Sequence, residues 1–331
     1  MSKILLVGGG GYVGNPIAYN FLKKNYEVSI IDNFIYEHKS TASNLLSFPN
    51  LRIFEEDIRN KLALEKIVKD YDAVIILAGL VGDPITKKYP ELASQINDAG
   101  IKNIIDVVFN NKIKKLIFIS TCSNYGLIPN DDLADEQYEL NPISLYSKSK
   151  VNAENYIMSF KDKNTDTSAT ILRFATAFGL SNRMRFDLTV NHFVKDAEKE
   201  KKIVIYDADT WRPYCHLQDF SNIIEKVIFV NDKLVNFQTF NAGSNQNNYT
   251  KNMIVNEISK CFSNLEIKTV EGGNDKRNYR VNFNKIKNTL NFEPLFSIKD
   301  GINEIKDFFN KTSLSEDLSN FGNYTIKKWK I

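Results

Sequence analysis

The residues of this chain best suited to chemistry are a tyrosine and a lysine four positions apart, Tyr146 and Lys150, with Thr121 upstream of them. On a helix, Tyr146 and Lys150 share one face, so an ammonium group stands beside a phenol. A free phenol ionises near pH ~10, and a neighbouring cation lowers that pKa. The pair therefore predicts a general base that removes a proton from an alcohol. The spacing alone also fits a solvated helix face, so the hypothesis depends on what lies upstream.

A glycine-rich turn near the N-terminus supplies that context. Gly8 permits a tight turn, Gly11 lets the backbone approach a pyrophosphate, and Gly14 lets the following helix pack against a sheet. The helix N-terminus then offers free N–H groups to the phosphates. Asp32 ends the next apolar run, where a carboxylate accepts hydrogen bonds from ribose hydroxyls and repels a 2′-phosphate. This predicts NAD rather than NADP, the alternative being that Asp32 only caps a turn.

The alternation of apolar and polar segments predicts an α/β fold with a Rossmann-type, doubly wound parallel sheet. Strands buried on both faces are short and nearly continuous in apolarity, and helices connect them. The predicted strands are Ile4–Val7, Val28–Ile31, Arg52–Phe54, Ala73–Leu77, Leu116–Ser120 and Ala169–Phe174, with Phe237–Asn241 as one more. The predicted helices are Asn15–Lys24, Lys61–Lys69, Glu91–Asn111 and Tyr146–Ser159.

From about Gly179 the alternation loosens, which predicts a smaller α+β substrate domain with long loops. The NAD-binding domain is expected to comprise residues 1–178 and about 214–242. The substrate domain is expected to comprise residues 179–213 and 243–331. In folds of this kind, ligands bind at the carboxyl ends of the strands.

The composition argues against several other classes of protein. A net charge of +3 over 331 residues favours neither a nucleic-acid partner nor a membrane surface, and no apolar run approaches the ~20 residues of a membrane span. Three widely spaced cysteines, Cys122, Cys215 and Cys261, suggest reduced thiols in a cytoplasmic protein. The histidines share no ligand spacing, so no metal site is expected.

Together these motifs resemble the extended short-chain dehydrogenase/reductase family, in its group of nucleotide-sugar epimerases, dehydratases and reductases. The resemblance covers nearly the whole chain and includes Thr121-Cys-Ser-Asn-Tyr-Gly126, Leu172-Arg-Phe174 and Trp211-Arg-Pro-Tyr-Cys-His216. It implies that Tyr146 is the base, that Lys150 holds the nicotinamide ribose, and that Thr121 hydrogen-bonds the reacting sugar oxygen. The implied NAD site comprises Gly8, Gly11, Tyr12, Val13, Gly14, Asp32, Asn33, Asp57, Ile58, Leu77, Ala78, Gly79, Tyr146, Lys150 and Phe174.

The residues after Thr121 separate the subgroups of that family. In 4,6-dehydratases an Asp-Glu pair follows the threonine and eliminates water, whereas Cys122 and Ser123 stand here. Epimerases acting at C3 and C5 have a cysteine two positions after the threonine, where this chain has Ser123. Cys122 is therefore expected to be a packed thiol. Oxidation, reduction or inversion at one carbinol carbon, C4, remains.

A finer resemblance concerns Val81-Gly-Asp-Pro84, Arg183-Met-Arg185 and the segment around Asp275 and Arg277. These segments are similar to GDP-heptose 4-dehydrogenases of bacterial capsule biosynthesis. The resemblance implies NAD-dependent oxidation at C4 of a nucleotide-diphosphate sugar, giving a 4-keto sugar. A 4-epimerase or a 4-keto reductase is the alternative. A non-catalytic NAD-binding sensor is a remote one, because such relatives usually lose the tyrosine or the lysine.

The substrate's two phosphates need cations, and arginine binds phosphate oxygens in pairs. Arg212 and Arg277 match the family's phosphate-binding arginines, while Arg183 and Arg185 lie in the segment that usually wraps the substrate. Many members have asparagine where Thr176 stands, so that contact is expected either to be lost or to be taken over by Asn191. The implied substrate site comprises Val81, Thr121, Ser123, Thr176, Arg183, Arg185, Asn191, Arg212 and Arg277.

The resemblance also implies a homodimer, because family members pair through two helices, here Glu91–Asn111 and Tyr146–Ser159. Four residues of the first helix, Ile101, Ile104, Ile105 and Val108, form an apolar stripe that would face the partner. The alternative is that the stripe packs on the chain's own sheet.

Overall fold

A seven-stranded, wholly parallel sheet forms the centre of the computed structural model, in the order β3-β2-β1-β4-β5-β7-β11. The structure describes residues 2–129, 132–163, 165–273, 275, 277–312, 318 and 321–328. The strands of this sheet are β1 (Lys3–Val7), β2 (Glu27–Asp32), β3 (Leu51–Glu55), β4 (Ala73–Ile76), β5 (Lys115–Thr121), β7 (Ser168–Phe174) and β11 (Gln238–Ala242). The predicted Rossmann-type sheet is therefore confirmed, and every predicted strand lies within two residues of an observed one.

Helices cover both faces of the sheet, as expected for a doubly wound fold. One face packs against α1 (Gly14–Lys23), α8 (Leu217–Phe229) and α11 (Asn284–Leu290). The other face packs against α2 (Lys61–Ile67), α5 (Ile101–Asn110) and α6 (Leu145–Met158). Because the central strands are buried on both sides, their apolar runs show no alternation.

The predicted helix Glu91–Asn111 consists of three parts. α4 (Pro90–Ser94) passes into a π-helical turn, Gln95–Gly100, and then into α5. A short helix that was not predicted, α3 (Asp83–Lys88), precedes them.

The apolar stripe on α5 faces the chain's own sheet. Ile101 is 3% exposed, and Ile104, Ile105 and Val108 are completely buried in the core beneath β4 and β5. The stripe thus has no surface left for a second subunit, and its use as an argument for a dimer was wrong. The physical reason is that a helix on a buried sheet needs such a stripe whether or not a partner exists.

A smaller lobe is built from the second half of the chain around its own apolar core. Helices α7 (Thr189–Lys199), α10 (Lys251–Ser259) and α12 (Ile298–Lys311) surround β9 (Lys202–Tyr206) and β10 (Trp211–His216). The remaining elements are α9 (Asp232–Val235), β6 (Leu133–Ala134), β8 (Thr176–Phe178), β12 (Asn248–Thr250), β13 (Glu266–Val270), β14 (Arg280–Val281) and three 3-10 helices, Lys39–Leu45, Cys122–Tyr125 and Asn245–Asn247. The loops of this lobe are shorter than predicted, since the three helices α7, α10 and α12 occupy segments where no helix was predicted.

The boundary between the two lobes is crossed more than once. Tyr279, Val281 and Phe283 pack into the core of the large sheet, although residues 243–331 were expected to form the substrate domain. His216, which is predicted to belong to the NAD-binding domain, pairs with Glu304 of α12 at 3.0 Å. In the described part of the chain, no helix is both long and apolar enough to span a bilayer.

Candidate active site

A cavity opens at the carboxyl ends of β1, β2 and β4, directly over the glycine turn. Its wall is formed by Gly8, Gly11, Tyr12, Val13, Gly14, Ile31, Asp32, Asn33, Ile35, Tyr36, His38, Glu56, Ile58, Leu77, Ala78, Gly79, Leu80, Val81, Ile96, Arg183, Arg185 and Asn323. Eleven of the fifteen residues of the predicted NAD site line it. This is the edge where doubly wound folds bind their ligands.

The glycine turn has the shape that a dinucleotide requires. Gly8 has φ +85°, and a Cβ there would lie 2.6 Å from the backbone of Ala78. At Gly14 a Cβ would lie 2.6 Å from the backbone of Gly9, so α1 could not pack as closely. At Gly11, in contrast, a Cβ would meet only the Gly8 carbonyl, at 3.4 Å. The space above Gly11 is therefore open, as needed for a pyrophosphate to approach the backbone.

Asp32 is held by the turn itself. Its carboxylate accepts hydrogen bonds from the backbone N–H of Gly10, at 3.0 Å, and of Phe34, at 2.8 Å. Burial raises the pKa of Asp32 to about 6, although those N–H groups and Arg183 act in the opposite direction. His38, beside it, stays neutral, because burial and Arg183 lower its pKa to about 3. Asp32 thus reaches the cavity as a nearly dry carboxylate that ribose hydroxyls would stabilise.

Two predicted NAD residues, Asp57 and Phe174, lie outside the cavity wall, apart from the Tyr-Lys pair. Asp57 accepts hydrogen bonds from Asn33, at 2.8 Å, and from the Arg59 guanidinium, and so positions its neighbours. Phe174 stacks on Phe220 with ring centres 3.7 Å apart, inside the core of the large sheet. The predicted cofactor contact of Phe174 therefore has no basis in the structure, because its ring points into the sheet packing.

Lys150 is buried at the carboxyl end of β5. Its Nζ donates a hydrogen bond to the carbonyl of Ile119, at 2.7 Å, and lies 5.9 Å from the centre of the Tyr146 ring. Burial lowers the pKa of Lys150 to about 8, while Glu154, one turn further along α6, acts in the opposite direction. The predicted arrangement of Tyr146 and Lys150 on one face of a helix is thus present.

Burial and three nearby charged side chains act on the pKa of the Tyr146 phenol. Burial raises the pKa of Tyr146 above its ordinary value, Arg185 and Arg277 lower it, and Asp83 raises it. Of the charged groups near Tyr146, Arg185, Asp83 and Arg277 thus act most on the phenol, and the lowering of its pKa by Lys150 stays a prediction.

Thr121 ends β5 and begins the 3-10 helix Cys122–Tyr125, with its Oγ1 accepting a hydrogen bond from the Ser123 N–H at 3.1 Å. Cys122 is 1% exposed and donates to the carbonyl of Arg173, and burial raises the pKa of its thiol. Cys122 is therefore a packed, unreactive thiol, as predicted.

A buried polar network supports this end of β5 and α6. Glu154 accepts hydrogen bonds from Ser120 and from Asn124, and it pairs with Arg173 at 2.7 Å. Both charged side chains are less than a tenth exposed. Since Glu154 lies on the same helix face as Tyr146 and Lys150, the network fixes the rotation of that face.

Charged residues of the smaller lobe converge beside Tyr146. Arg277 pairs with Asp275 through two hydrogen bonds of 2.8 Å, reaches Ser123 Oγ at 3.3 Å and lies 3.6 Å from Asp83. Arg212 Nη2 lies 3.0 Å from Asp275 Oδ1, yet it makes no well-aligned hydrogen bond with any described residue. The two predicted phosphate-binding arginines are thus brought together, and Arg212 keeps a buried N–H group available.

Sequence reasoning gave no role to two carboxylates of this cluster. One oxygen of Asp83 is buried without a hydrogen-bond partner among the described residues, and the other faces Arg277. Asp275 holds both arginines, and those ion pairs lower its pKa despite burial. Asp83 lies in the Val81-Gly-Asp-Pro84 segment, and Asp275 lies two residues before Arg277. Both segments were noted in the sequence, but the sequence does not show which charged side chains these carboxylates would pair with.

Arg183 and Arg185, predicted to bind the substrate, lie beside the predicted cofactor site. Arg183 and Arg185 form part of the wall of the NAD cavity. Arg185 pairs with Asp187, whereas Arg183 stacks on the Tyr36 ring at 4.7 Å and forms no ion pair with a described carboxylate. Burial and Arg185 lower the pKa of Arg183 to about 10. Both side chains thus border the predicted cofactor cavity, and their contact with the substrate stays a prediction.

The remaining predicted substrate residues are less uniform. Asn191 is completely buried and uses both ends of its side chain, donating to Tyr12 and to Arg185 and accepting from the Gly179 N–H. It offers no polar atom to a substrate, so the predicted contact is corrected to a structural role. Val81 lines the NAD cavity, and Thr176 lies partly exposed on β8 opposite Tyr214. No cluster of three or more potential metal ligands occurs among the described residues.

A Rossmann sheet with a glycine turn, and a Tyr-Lys helix beside the turn's cavity, define an enzyme of the extended short-chain dehydrogenase/reductase type. Residues 4–243 match the model of the NAD dependent epimerase/dehydratase family. The chain belongs to this family and uses NAD as its cofactor.

Several of the known proteins similar to this chain are named as nucleotide-sugar epimerases. UDP-glucuronate 4-epimerase from Thermodesulfobacterium geofontis is 26% identical over 317 residues, 91% of this chain and 94% of that protein. UDP-arabinose 4-epimerase 1 from Arabidopsis thaliana is 28% identical over 185 residues. That match spans 54% of this chain and 44% of the plant protein, and the first relative found, also from Arabidopsis thaliana, is matched over only 42% of its length.

The fold is shared with a solved epimerase. The crystal structure of UDP-glucuronic acid 4-epimerase from Bacillus cereus, in complex with UDP-glucuronic acid and NAD, superposes with a TM-score of 0.82 at 22% identity. The superposition covers 93% of this chain and 99% of that one. These findings favour the epimerase alternative over the expected oxidation of a GDP-heptose, for which they give no support.

Proposed function

We propose that this protein is a nucleotide-sugar 4-epimerase, which inverts the configuration at C4 of a nucleotide-diphosphate sugar. The observation that supports the proposal most is the content of the site around Thr121. Cys122 is buried and unreactive, and Ser123 is engaged by Tyr279 and Arg277. The two positions that serve elimination in dehydratases therefore hold no acid and no base, while the Tyr-Lys pair for alcohol chemistry is complete.

Each catalytic side chain has a role that follows from its place. Tyr146 takes the proton from the C4 hydroxyl and later returns it to the same oxygen on the inverted carbon. Thr121 orients that oxygen, and Lys150, anchored on Ile119, holds the nicotinamide ribose. NAD, when bound, supplies the hydride acceptor and then the hydride donor. Inversion additionally requires that the oxidised sugar turn its other face before the proton and hydride return.

The cluster beside Tyr146 suits the rest of the substrate. Arg212 and Arg277 present two guanidinium groups held by one carboxylate, Asp275, which suits a diphosphate carrying two negative charges. Asp83 Oδ1 has no hydrogen-bond partner among the described residues, which suits it to accept a hydrogen bond from a hydroxyl of the sugar ring. Ser123 and Tyr279, hydrogen-bonded to each other at 3.1 Å, complete this side.

Release of the oxidised sugar is the second candidate function. The same residues perform the first half of the reaction, and the Val81-Gly-Asp-Pro84 and Arg183-Met-Arg185 segments resemble GDP-heptose 4-dehydrogenases. In that case a 4-keto sugar leaves, and NADH must be reoxidised by another reaction. Capsule polysaccharide synthesis in the cytoplasm would be the setting of such an oxidation and stays a prediction.

The two candidates differ in the fate of the hydrogen on C4. The protein should be incubated with UDP- and GDP-sugars deuterated at C4, with absorbance near 340 nm recorded and the products analysed by NMR. Epimerisation retains the deuterium on the inverted C4 and accumulates no NADH. A stoichiometric rise at 340 nm with a 4-keto product would contradict the proposal and support oxidation. Tyr146→Phe should give neither product while binding NAD normally, which makes it the control for contaminating activity.

A further inference from the structure

Residues 321–328, called the C-terminal strap below, cross the mouth of the NAD cavity. The Phe321 carbonyl accepts a hydrogen bond from the Phe186 N–H, at 2.8 Å, so one end of the strap is tied to the smaller lobe. At the other end, the N–H groups of Lys327 and Lys328 donate to the carbonyl of Ile35, at 3.1 and 3.0 Å. Between them, Asn323 Nδ2 donates to the carbonyl of Val81, at 2.9 Å.

The sheet order shows what the strap covers. Ile35 follows β2 and Val81 follows β4, and β1 lies between these two strands. A segment tied to both loops therefore spans the end of β1, where the glycine turn begins. That turn is the place where the pyrophosphate of a dinucleotide lies in this fold.

The Oδ1 atom of Asn323 accepts no hydrogen bond from any described residue. The residue is 8% exposed and lines the NAD cavity. Its backbone N–H binds the Asp187 carboxylate, and its Nδ2 is engaged by Val81. Its Oδ1 is buried without a hydrogen-bond partner among the described residues. A buried acceptor without a donor is costly, and ribose hydroxyls are donors.

The strap also holds an unpaired cation over the cavity. Arg183 Nη2 donates to the carbonyl of Gly322, at 3.4 Å, while its guanidinium lies on the Tyr36 ring. No described carboxylate pairs with Arg183, although the side chain is buried. A buried, unpaired guanidinium is stabilised by an anion, and a dinucleotide brings two phosphate charges to this cavity.

We propose that the C-terminal strap is part of the NAD site, with Asn323 Oδ1 accepting a hydrogen bond from a ribose hydroxyl and Gly322 positioning Arg183 toward the pyrophosphate. NAD then leaves only when the strap detaches from Val81 or Ile35. The strap therefore retains the cofactor between turnovers. This proposal rests on NAD binding alone and is independent of which sugar reacts and of whether C4 is inverted.

The first test measures NADH and needs no sugar. Titration by fluorescence gives the dissociation constant of NADH, and a chase with excess NAD in a stopped-flow instrument gives its release rate. Asn323→Ala should weaken NADH binding about 5–10-fold, the loss of one hydrogen bond, chiefly through faster release. Thr325→Ala is the matched control, because Thr325 is exposed on the same strap and faces Lys88; it should stay within twofold of the wild type.

The second test uses the unmodified protein, so it holds even if Asn323→Ala folds poorly. Lys327 and Lys328 are exposed sites for trypsin on the strap. Saturating NADH should slow cleavage there at least several-fold, whereas sites on the remote face of the sheet, such as Lys66 and Lys69, should be cut at an unchanged rate. Unchanged cleavage of the strap, or an NADH affinity of Asn323→Ala within twofold of the wild type, would overturn the proposal.

Discussion

Asp32 and Tyr146 show how much the protein changes the ordinary properties of single side chains. Burial disfavours the charged form of both groups and raises both pKa values above the usual range. Both also have groups near them that favour the charged form, the backbone N–H groups of the turn for Asp32 and two arginines for Tyr146. Ligands that complete these surroundings will therefore change the protonation of the site.

NAD binding should depend on pH through Asp32. Ribose hydroxyls donate to the ionised carboxylate, so NAD favours the ionised form, and its affinity should fall as the pH is lowered through about 6. His38 stays neutral over this range and does not contribute. Calorimetric titration with NAD between pH 5 and pH 8 measures the effect. Asp32→Asn should bind NAD weakly at every pH, and a slope that survives in this variant would show that another group titrates.

Asp83 should control the pH at which Tyr146 becomes active. Its carboxylate raises the pKa of the phenol, so Asp83→Asn should lower that pKa and move the acid limb of the kcat/KM profile to lower pH. The pH profile with a nucleotide-sugar substrate is the measurement. Glu91→Gln, an exposed carboxylate on α4, is the control and should leave the profile in place. A shift to higher pH would exclude direct action of Asp83 on Tyr146.

At the scale of secondary-structure elements, β5, α6 and β7 form the rigid base of the site. The Glu154–Arg173 pair joins α6 to β7, and Lys150 joins α6 to β5. These contacts hold Thr121 on β5 and Tyr146 and Lys150 on α6 in fixed positions relative to one another. In the smaller lobe, by contrast, Arg212 on β10 and Arg277 before β14 depend on the single carboxylate of Asp275.

The buried pair should be strongly coupled. Glu154→Ala or Arg173→Ala leaves an uncompensated buried charge and should lower the free energy of unfolding by about 3–5 kcal/mol. Glu154→Ala combined with Arg173→Ala removes both charges, and should destabilise the protein clearly less than the sum of the single changes. Urea unfolding of the four proteins forms the cycle. Additive losses would show that the two side chains act independently.

Arg212→Ala and Arg277→Ala should each weaken nucleotide-diphosphate binding about 10–150-fold, because each removes a charge-assisted hydrogen bond of about 1.5–3 kcal/mol. Calorimetry with UDP and GDP measures this loss, and NAD affinity serves as the internal control. Arg59→Ala, which removes the partner of Asp57 in the other lobe, is the matched variant and should leave binding of UDP and GDP intact. Unchanged nucleotide binding in both arginine variants would argue against this substrate class.

Across the whole molecule, the sequence predicts features formed by residues close together in the chain, and it misses features that depend on contacts between distant residues. The glycine turn, the strands and the Tyr-Lys helix are local patterns, and they lie where they were predicted. α7 was missed although Val190, Phe193, Val194 and Ala197 repeat at helical spacing, so its signal was available. Asn323 lies 242 residues from Val81, which it contacts, and no local pattern indicates such a pairing.

The homodimer stays a prediction from the family resemblance. If it forms through α5 and α6, the contact must use their outer, polar faces, since the apolar stripe of α5 is buried in the subunit. Light scattering at micromolar concentration should then give twice the mass of 37.9 kDa. Lys102→Glu, on the outer face of α5 beside Tyr156, should weaken the pairing, whereas the same change at Lys69, beyond α2, should not. A monomeric mass would contradict the prediction.

The π-helical turn Gln95–Gly100 fixes the number of residues that this part of the chain can contain. Within the turn, Asn97 binds both backbone groups of Leu80, accepting a hydrogen bond from its N–H at 2.7 Å and donating one to its carbonyl at 3.0 Å. After the turn, α5 presents its stripe to the sheet. Successive helical residues are rotated by about 100°. Deleting one residue here would restore a regular helix, but it would turn either Asn97 away from Leu80 or Ile104 away from the core. Single-residue deletions in this helix should therefore destabilise the fold, whereas substitutions on its outer face should be tolerated.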